Sequence, residues 1–189
     1  MRDMEVRAEQ LCKSYNGERV LQNVSFVLFH GVTCIMAPSG TGKTTLLRIL
    51  LGLEEPDSGS VSRCRWSAVF QEDRLLEQLD AMGNLRFVLG SGLDEEQAKE
   101  LLHRLQLDDV GAKKVRDYSG GMKRRLALAR ALLAPADALA LDEPFTGLDE
   151  ENRKRCLECI REAAQEKSVL LVTHDAADVQ GLAATVIRI

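Results

Sequence analysis

The chain has 189 residues, which is enough for one ordinary domain with a buried core, whereas two independent domains would be crowded. Apolar residues make up 45% and charged residues 29% of the sequence, a composition typical of globular proteins rather than of disordered or fibrous ones. The formal net charge of −4 argues against sequence-independent nucleic-acid binding, which requires clustered Lys and Arg, so we expect no nucleic-acid partner.

Short apolar runs along the chain predict β-strands. Residues 20–29 are rich in Val, Phe and Leu without a helical period, which predicts strands that flank the main sheet. Four later runs, each followed by polar residues, are typical of buried parallel strands; they are residues 32–36, 68–70, 138–141 and 169–172. Because ligands bind at the carboxyl ends of parallel strands, we expect the polar residues after these runs to form one active edge.

Helical patterns alternate with these strands. Apolar residues recur at helical spacing in residues 44–51, 95–107 and 120–133. Between residues 72 and 117 the strand signals are absent, and acidic, helical sequence takes over. The alternation predicts an α/β fold, and we interpret residues 72–117 as an inserted helical subdomain.

A glycine-rich segment, Ala37-Pro38-Ser39-Gly40-Thr41-Gly42-Lys43-Thr44-Thr45, follows the first of the four runs and opens a helix. This is the context of a phosphate-binding loop, in which glycines let backbone N–H groups converge on phosphate oxygens. We expect Lys43 to neutralise the β- and γ-phosphates of a nucleotide and Thr44 to bind Mg²⁺ through its hydroxyl. The predicted nucleotide-binding residues of the loop are Ser39, Gly40, Thr41, Gly42, Lys43, Thr44 and Thr45.

One position departs from the phosphate-loop pattern. Ala37 occupies the first glycine position, which costs on the order of 1 kcal/mol if that residue needs a positive φ. The alternative interpretation is a glycine-rich turn that binds nothing. The strand, the glycines, the lysine and the threonine together favour phosphate binding.

Two carboxylates follow the apolar run at residues 138–141. Asp142 can hold Mg²⁺ through water, which leaves Glu143 to polarise an attacking water molecule. Alternatively, both acids are ordinary turn residues at the end of a strand. Their position next to Pro144, together with the phosphate-binding loop, favours the catalytic interpretation.

The segment Tyr118-Ser119-Gly120-Gly121-Met122 resembles the signature motif of the ABC ATPase family, with Tyr118 where the family usually has Leu. The resemblance implies that the nucleotide is ATP. It also implies that Ser119, Gly120 and Gly121, at a helix N-terminus, bind the γ-phosphate of ATP held by the opposite subunit. Hydrolysis would then require a head-to-tail dimer, of identical chains or with a second ABC subunit. An ordinary N-cap, for which Ser is favoured, is the alternative.

Further matches extend the resemblance over nearly the whole chain. Tyr15 stands where an aromatic residue stacks on adenine, and Gly147-Leu148-Asp149 resembles the D-loop. Gln71 resembles the Q-loop glutamine that reaches Mg²⁺ and the lytic water, and His174 resembles the switch histidine that contacts the γ-phosphate. Taken singly these are weak signals, because a lone His or Tyr is usually structural.

The resemblance implies one ABC ATPase domain over residues 1–189. Its P-loop NTPase core, similar to RecA, comprises residues 1–71 and 118–189, with an N-terminal β part and a mainly parallel sheet with flanking antiparallel strands. Residues 72–117 form the inserted α-helical subdomain, with the signature loop at its end. The implied cofactors are ATP and Mg²⁺. The expected metal ligands are Thr44, Gln71 and Asp142, and the expected catalytic residues are Glu143, His174, Gln71 and Lys43.

The longest apolar stretch, residues 126–141, is broken by charged residues and Pro135, so it cannot cross a bilayer. Residues 1–10 are mostly charged and do not predict an export signal. We therefore expect a cytoplasmic protein, peripheral on the cytoplasmic face of the cell membrane. By the resemblance, it powers transport of a small solute through separate integral membrane permease subunits that contact the helical subdomain. Residues 70–76 are similar to the Q-loop region of importer ATPases for nitrate, sulfonates and taurine.

Two other functions stay open. The chain could be a soluble ABC-type ATPase that acts as a nucleotide-dependent clamp or assembly factor, or a nucleotide-binding protein that no longer hydrolyses ATP, as Ala37 and Tyr118 suggest. Cys156 and Cys159 have a C-x-x-C spacing, but no second Cys or His pair accompanies them, which predicts thiols on a helix. The basic residues Lys123, Arg124, Arg125 and Arg130 are interpreted as a solvated or phosphate-facing helix rather than a nucleic-acid patch.

Overall fold

The structure is a computed structural model, and it describes residues 5–36, 41–107 and 113–187. The elements follow in the order β1 (Val6–Tyr15), β2 (Glu18–Leu28), β3 (Gly31–Ile35), α1 (Lys43–Leu50), β4 (Ser58–Val61), β5 (Trp66–Val69), α2 (Ala81–Leu89), α3 (Glu95–Arg104), α4 (Gly120–Leu133), β6 (Ala138–Asp142), α5 (Glu150–Ala163), β7 (Ser168–Val172), α6 (Ala176–Leu182) and β8 (Thr185–Ile187). Short 3-10 helices lie at Gly90–Gly92 and Val115–Asp117.

A parallel sheet carries the four apolar runs identified in the sequence. Its strand order is β5-β6-β7-β3-β8, and every neighbouring pair is parallel. The predicted parallel strands are therefore confirmed. Since the strands run in one direction, the residues after β3, β5, β6 and β7 lie along a single edge, where the polar side chains of the site are gathered.

Alternate residues of the central strands face two separate hydrophobic cores. In β6, Leu139 and Leu141 pack into a core shared with α2, α3, α4 and α5. Ala138 and Ala140 face the other side, where α1 and the antiparallel strands β1 and β2 cover the sheet. This period-2 alternation explains why the run at 138–141 is apolar throughout, because both faces of a parallel sheet are covered.

The flanking sheet is antiparallel, with the order β2-β1-β4. The predicted flanking segment at residues 20–29 corresponds to β2, whereas β1 and β4 were not identified as individual strands of the expected N-terminal β part. In β1, charged residues alternate with the buried Val6 and Ala8, and the register shifts between Ala8 and Leu11. A bulge of this kind interrupts the alternation by which a strand is recognised in sequence. The fold class, including the flanking antiparallel strands and the helices, is confirmed.

Helices α2 and α3 occupy the segment between β5 and α4. Both begin with an aspartate cap: Asp80 accepts a hydrogen bond from the Gly83 N–H at 2.7 Å, and Asp94 accepts one from the Glu96 N–H at 2.9 Å. Helix α3 ends at Arg104, earlier than the predicted position 107. Within the described part of the chain, no helix is both long and apolar enough to cross a membrane.

Candidate active site

A cleft of about 430 Å³ lies at the carboxyl edge of the parallel sheet. Its lining consists of Tyr15, Val20, Gly42, Lys43, Thr44, Thr45, Gln71, Asp142 and Glu143. All of these except Val20 are site residues expected from the sequence. Residues that are far apart in the chain thus meet at one cleft because they follow neighbouring parallel strands or belong to the strands β1 and β2 beside it.

The first turn of α1 forms the floor of this cleft. Gly42 precedes the helix with φ 88°, and a Cβ atom there would lie 2.7 Å from Val20 Cγ1 and 2.8 Å from the Val20 carbonyl oxygen. Only glycine fits both restrictions. Lys43 then begins the helix, whose N-terminal N–H groups attract anions. The expected site residues Ser39 and Gly40, together with Ala37, lie outside the described residues.

Asp142 is the last residue of β6 and is 7% exposed. Burial and the neighbouring Glu143 carboxylate raise the pKa of Asp142, while Lys43 and Arg124 oppose that rise. A buried carboxylate of this kind is stabilised by a cation. Among the residues that the structure describes, no group of three or more His, Cys, Asp and Glu could hold a metal by itself. The hydroxyl of Thr44, the amide of Gln71 and the carboxylate of Asp142 nevertheless provide the oxygen donors that Mg²⁺ accepts beside phosphates.

Glu143 has an unusual backbone conformation and a close partner. Its φ is 49°, in the left-handed region that costs a non-glycine residue about 1–2 kcal/mol. Its N–H donates to the Val172 carbonyl at 2.9 Å, which ties it to β7. Its Oε1 lies 2.7 Å from Nδ1 of His174. The His174 ring is 80% exposed, and this hydrogen bond raises the pKa of His174. Strained backbone of this kind is typical of functional positions.

A buried polar network behind Glu143 was not predicted. The Thr173 hydroxyl donates to Oδ2 of Asp178 at 2.7 Å and lies 3.4 Å from Oε2 of Glu143. Arg153 of α5 contacts both Asp178 and Asp175. The position of Thr173 next to His174 was the only sequence signal for this network, since an aspartate usually faces solvent.

Tyr15 and Val20 form the wall of the cleft that belongs to the antiparallel sheet. Tyr15 is 39% exposed, and its hydroxyl is hydrogen-bonded to Glu54. Lys13 Nζ lies 5.6 Å from the ring centroid. Contacts with Glu54 and Lys13 therefore fix the orientation of the Tyr15 ring, and its exposed part can stack on a planar base.

A second pocket, of about 520 Å³, contains the signature turn, residues 119–121, and the residues that resemble a D-loop. It shares no lining residue with the cleft. Ser119 caps α4, since its Oγ accepts from the Met122 N–H at 3.2 Å. A Cβ at Gly121 would lie 3.3 Å from the Gly147 carbonyl oxygen, so the two turns are in close contact. The structure thus brings the signature turn together with the D-loop residues, and it does not bring it to Lys43 of the same chain.

The basic residues of α4 correct one expectation. Arg124 and Arg125 are 6% and 7% exposed, so the interpretation of a solvated helix face is wrong for both. Their guanidinium groups instead donate to backbone carbonyls of residues 70–71 and 105–106. The expectation of thiols on a helix is confirmed: Cys156 and Cys159 are buried on α5, and burial raises the pKa of Cys156 to about 12.

Comparison with known proteins gives a consistent result. The family model described as ABC transporter matches residues 21–146, more than half of the chain. An aliphatic sulfonates import ATP-binding protein of Pseudomonas syringae pv. tomato is 35% identical over 177 residues, covering 91% of this chain and 75% of the relative. A probable sulfate/thiosulfate import ATP-binding protein of Chlorella vulgaris is 34% identical over 204 residues, covering 97% and 86%.

A solved structure described as the ATP binding subunit of an ABC transporter has the same fold. The TM-score is 0.89 at 24% sequence identity, over 98% of this chain and 86% of that chain. The expected likeness to importer ATPases of the sulfonate type is confirmed by the first relative. On the family match and these two relatives, the chain belongs to the ABC transporter family.

Proposed function

We propose that this chain is the ATP-hydrolysing subunit of a transporter, and that it powers the movement of a small solute through separate permease subunits. The observation that carries the proposal is the placement of Glu143, 2.7 Å from His174, at a cleft that also contains Lys43 and Asp142. The ammonium group of Lys43, which can bind phosphate, and the carboxylate of Glu143, which can activate water, therefore lie at one site. The two import ATP-binding relatives agree with this function, and neither is described as a soluble clamp.

Each side chain of the cleft has a distinct part in binding. Lys43 and the N-terminus of α1 bind the β- and γ-phosphates, and the ring of Tyr15 stacks on the adenine. Thr44, Asp142 and Gln71 would hold Mg²⁺, which when bound neutralises part of the phosphate charge. The raised pKa of Asp142 supports this assignment, because a nearby cation stabilises the ionised form of a buried carboxylate.

Hydrolysis uses the pair at the ends of β6 and β7. Glu143 accepts a proton from the attacking water. The water oxygen forms a bond to the γ-phosphorus, and the bond between the γ-phosphorus and the oxygen that bridges it to the β-phosphate breaks. His174 holds the Glu143 carboxylate by the 2.7 Å hydrogen bond and faces solvent, where it can reach the γ-phosphate. Both residues follow neighbouring strands, so the sheet sets their separation.

We infer that a second subunit completes the site. The signature turn lines a pocket separate from the cleft, at the start of α4, where N–H groups can bind an anion. A head-to-tail partner, either an identical chain or a second ABC subunit, would bring its own signature turn to the ATP bound here. ATP should therefore promote association.

The permease contact is proposed for residues 72–117, the inserted subdomain. Two adjacent apolar side chains on α2 support it, since Phe87 is 70% and Val88 is 52% exposed. Neighbouring exposed apolar residues are typical of surfaces that bind another protein. The chain would then lie on the cytoplasmic face of the membrane.

The experiment compares MgATP turnover of the wild type with that of three variants. Glu143→Gln should retain ATP binding and lose turnover by at least about 100-fold. Lys43→Ala should lose both, which sets the background and tests whether the chain turns over at all. Glu158→Gln makes the same chemical change on the exposed face of α5 and should keep wild-type turnover. Equal rates for wild type and Glu143→Gln would refute the assignment. Light scattering of Glu143→Gln with and without ATP should show a dimer only with ATP.

A further inference from the structure

The arginines of α4 hold the backbone of the segment that leads out of β5. We call residues 70–74 the Q segment. Arg124 donates to the carbonyl oxygens of Phe70 and Gln71, each at 2.6 Å. Its Nη1 also lies 3.1 Å from Oδ1 of Asp73, an ion pair without hydrogen-bond geometry. Arg130 donates to the carbonyl oxygens of Asp73 and Arg74, at 2.9 Å and 2.7 Å.

The chemistry of these contacts is specific to arginine. A buried guanidinium must replace its lost hydration with acceptors, and its planar fork can bind two consecutive carbonyls at once. Arg74, held by Arg130, has φ 48°, a conformation that persists only where surrounding contacts impose it. The Q segment is therefore fixed from outside, by side chains of α4, rather than by its own local structure.

Arg124 lies between the two surfaces at which ATP is proposed to bind. Gln71, whose carbonyl it holds, lines the nucleotide cleft. Arg124 itself lines the second pocket and follows the signature turn on the same helix. One side chain thus holds a residue that lines this chain's own nucleotide cleft and also lines the pocket that contains the signature turn.

We propose that Arg124 is a positioning residue, which holds the backbone of Gln71 so that its amide faces the nucleotide cleft. This inference rests on the proposed ATPase function. If the inference is correct, a substitution of Arg124 lowers turnover only because it displaces Gln71. A merely structural arginine would lower activity in the same proportion whether or not Gln71 is present.

The same helix offers a matched control. Arg125 is as buried as Arg124, at 7% and 6% exposure. It donates to the carbonyl oxygens of Leu105 and Gln106, at 2.6 Å and 3.2 Å, and does not contact the Q segment in the described structure. Replacing either arginine by lysine keeps the charge and removes the fork.

The test is a double-mutant cycle on MgATP turnover of the full chain. The wild type is compared with three single variants, Gln71→Ala, Arg124→Lys and Arg125→Lys. It is also compared with two double variants, in which Gln71→Ala is combined with either arginine substitution. Arg124→Lys should lower kcat by about 10- to 100-fold, as a small misplacement of a catalytic group does, with little change in KM for ATP. In the Gln71→Ala background it should lower kcat no further, whereas Arg125→Lys should have the same effect in both backgrounds.

A fall of kcat for Arg124→Lys that is equal in both backgrounds would overturn the inference, as would a Gln71→Ala variant with wild-type turnover. If Arg124→Lys does not fold, Asp73→Asn takes its place, because it removes the charge that pairs with Arg124 and keeps the size of the side chain. That variant should lower kcat by about two- to fivefold, again only when Gln71 is present. An inactive wild type would instead refute the proposed function itself, so the two failures are distinguishable.

Discussion

Removal of one buried hydroxyl should destabilise the protein by a predictable amount. Thr173 is fully buried, and its hydroxyl donates at 2.7 Å to Asp178, which is 3% exposed. A hydrogen bond to a charged group contributes about 1.5–3 kcal/mol. Thr173→Val keeps the shape of the side chain, so the free energy of unfolding should fall by about 2 kcal/mol. For a chain of this length the melting temperature should then fall by about 4–8 °C.

The loss should also depend on pH. Burial raises the pKa of Asp178 above 3.8, while the donations from Thr173 and Arg153 limit that rise. Without the Thr173 donor, the pKa of Asp178 in the folded state rises further. A raised carboxyl pKa means that the folded state binds a proton that the unfolded state releases, so stability falls as pH increases above 3.8 towards the folded pKa. The difference between wild type and Thr173→Val should therefore be small at acid pH and grow towards neutral pH.

Urea unfolding at a series of pH values, with Thr173→Ser as the matched variant, measures this effect. Serine retains the hydroxyl and removes one methyl group, so its loss should be about 1 kcal/mol and independent of pH. If the valine and serine variants lose the same free energy at neutral pH, the hydrogen bond to Asp178 does not have the strength that its geometry indicates.

Three other outcomes follow from single contacts. In Glu143→Gln the pKa of His174 should fall towards its ordinary value, because the hydrogen bond to the carboxylate raises it, and an NMR titration of the ring would detect the change. Gly42→Ala should lower the free energy of unfolding by more than about 1 kcal/mol, because residue 42 has a positive φ and an added Cβ would contact β2. Gly120→Ala is the control, since an added Cβ there meets open space and should not lower stability by this amount. Thermal unfolding compares the two variants. Tyr118→Phe should stabilise the protein by about 1 kcal/mol in the same assay, because the buried hydroxyl makes no hydrogen bond of good geometry within the described ranges, although the Ala81 backbone lies near it. A loss of stability would show that the contact with Ala81 satisfies the hydroxyl.

Features encoded in consecutive residues could be predicted from the sequence. The apolar run at 138–141 followed by Asp142 and Glu143 specifies both a strand buried on two faces and the chemistry at its end. The loop before α1 is similarly local, because the glycines and Lys43 must be adjacent to act on one phosphate group. Parallel strands then bring such segments to one edge, so the residues of the cleft could be predicted before their distances were known.

The β1 strand shows where local patterns fail. Its ladder with β2 is long, but register shifts place charged and apolar residues out of alternation. What stabilises β1 is pairing on both sides, with β2 and β4, and neither pairing is visible in the residues of β1 themselves. Strand propensity depends on such neighbours more than on the residues of the strand.

The arginines of α4 could not be assigned for a different physical reason. Cationic residues on a helix are compatible with a solvated face, and the partners that decide otherwise are backbone carbonyl oxygens elsewhere in the chain, which for Arg124 lie more than fifty residues earlier. Every residue has a backbone carbonyl group, so the residue types at positions 70 and 71 do not show that Phe70 and Gln71 are the acceptors of Arg124. Their availability arises because the chain leaves the parallel sheet after β5 and no longer pairs with β6. The contact between α4 and the backbone of Gln71 is therefore a property of the tertiary fold, and variants of Arg124 or of its ion-pair partner Asp73 measure its effect.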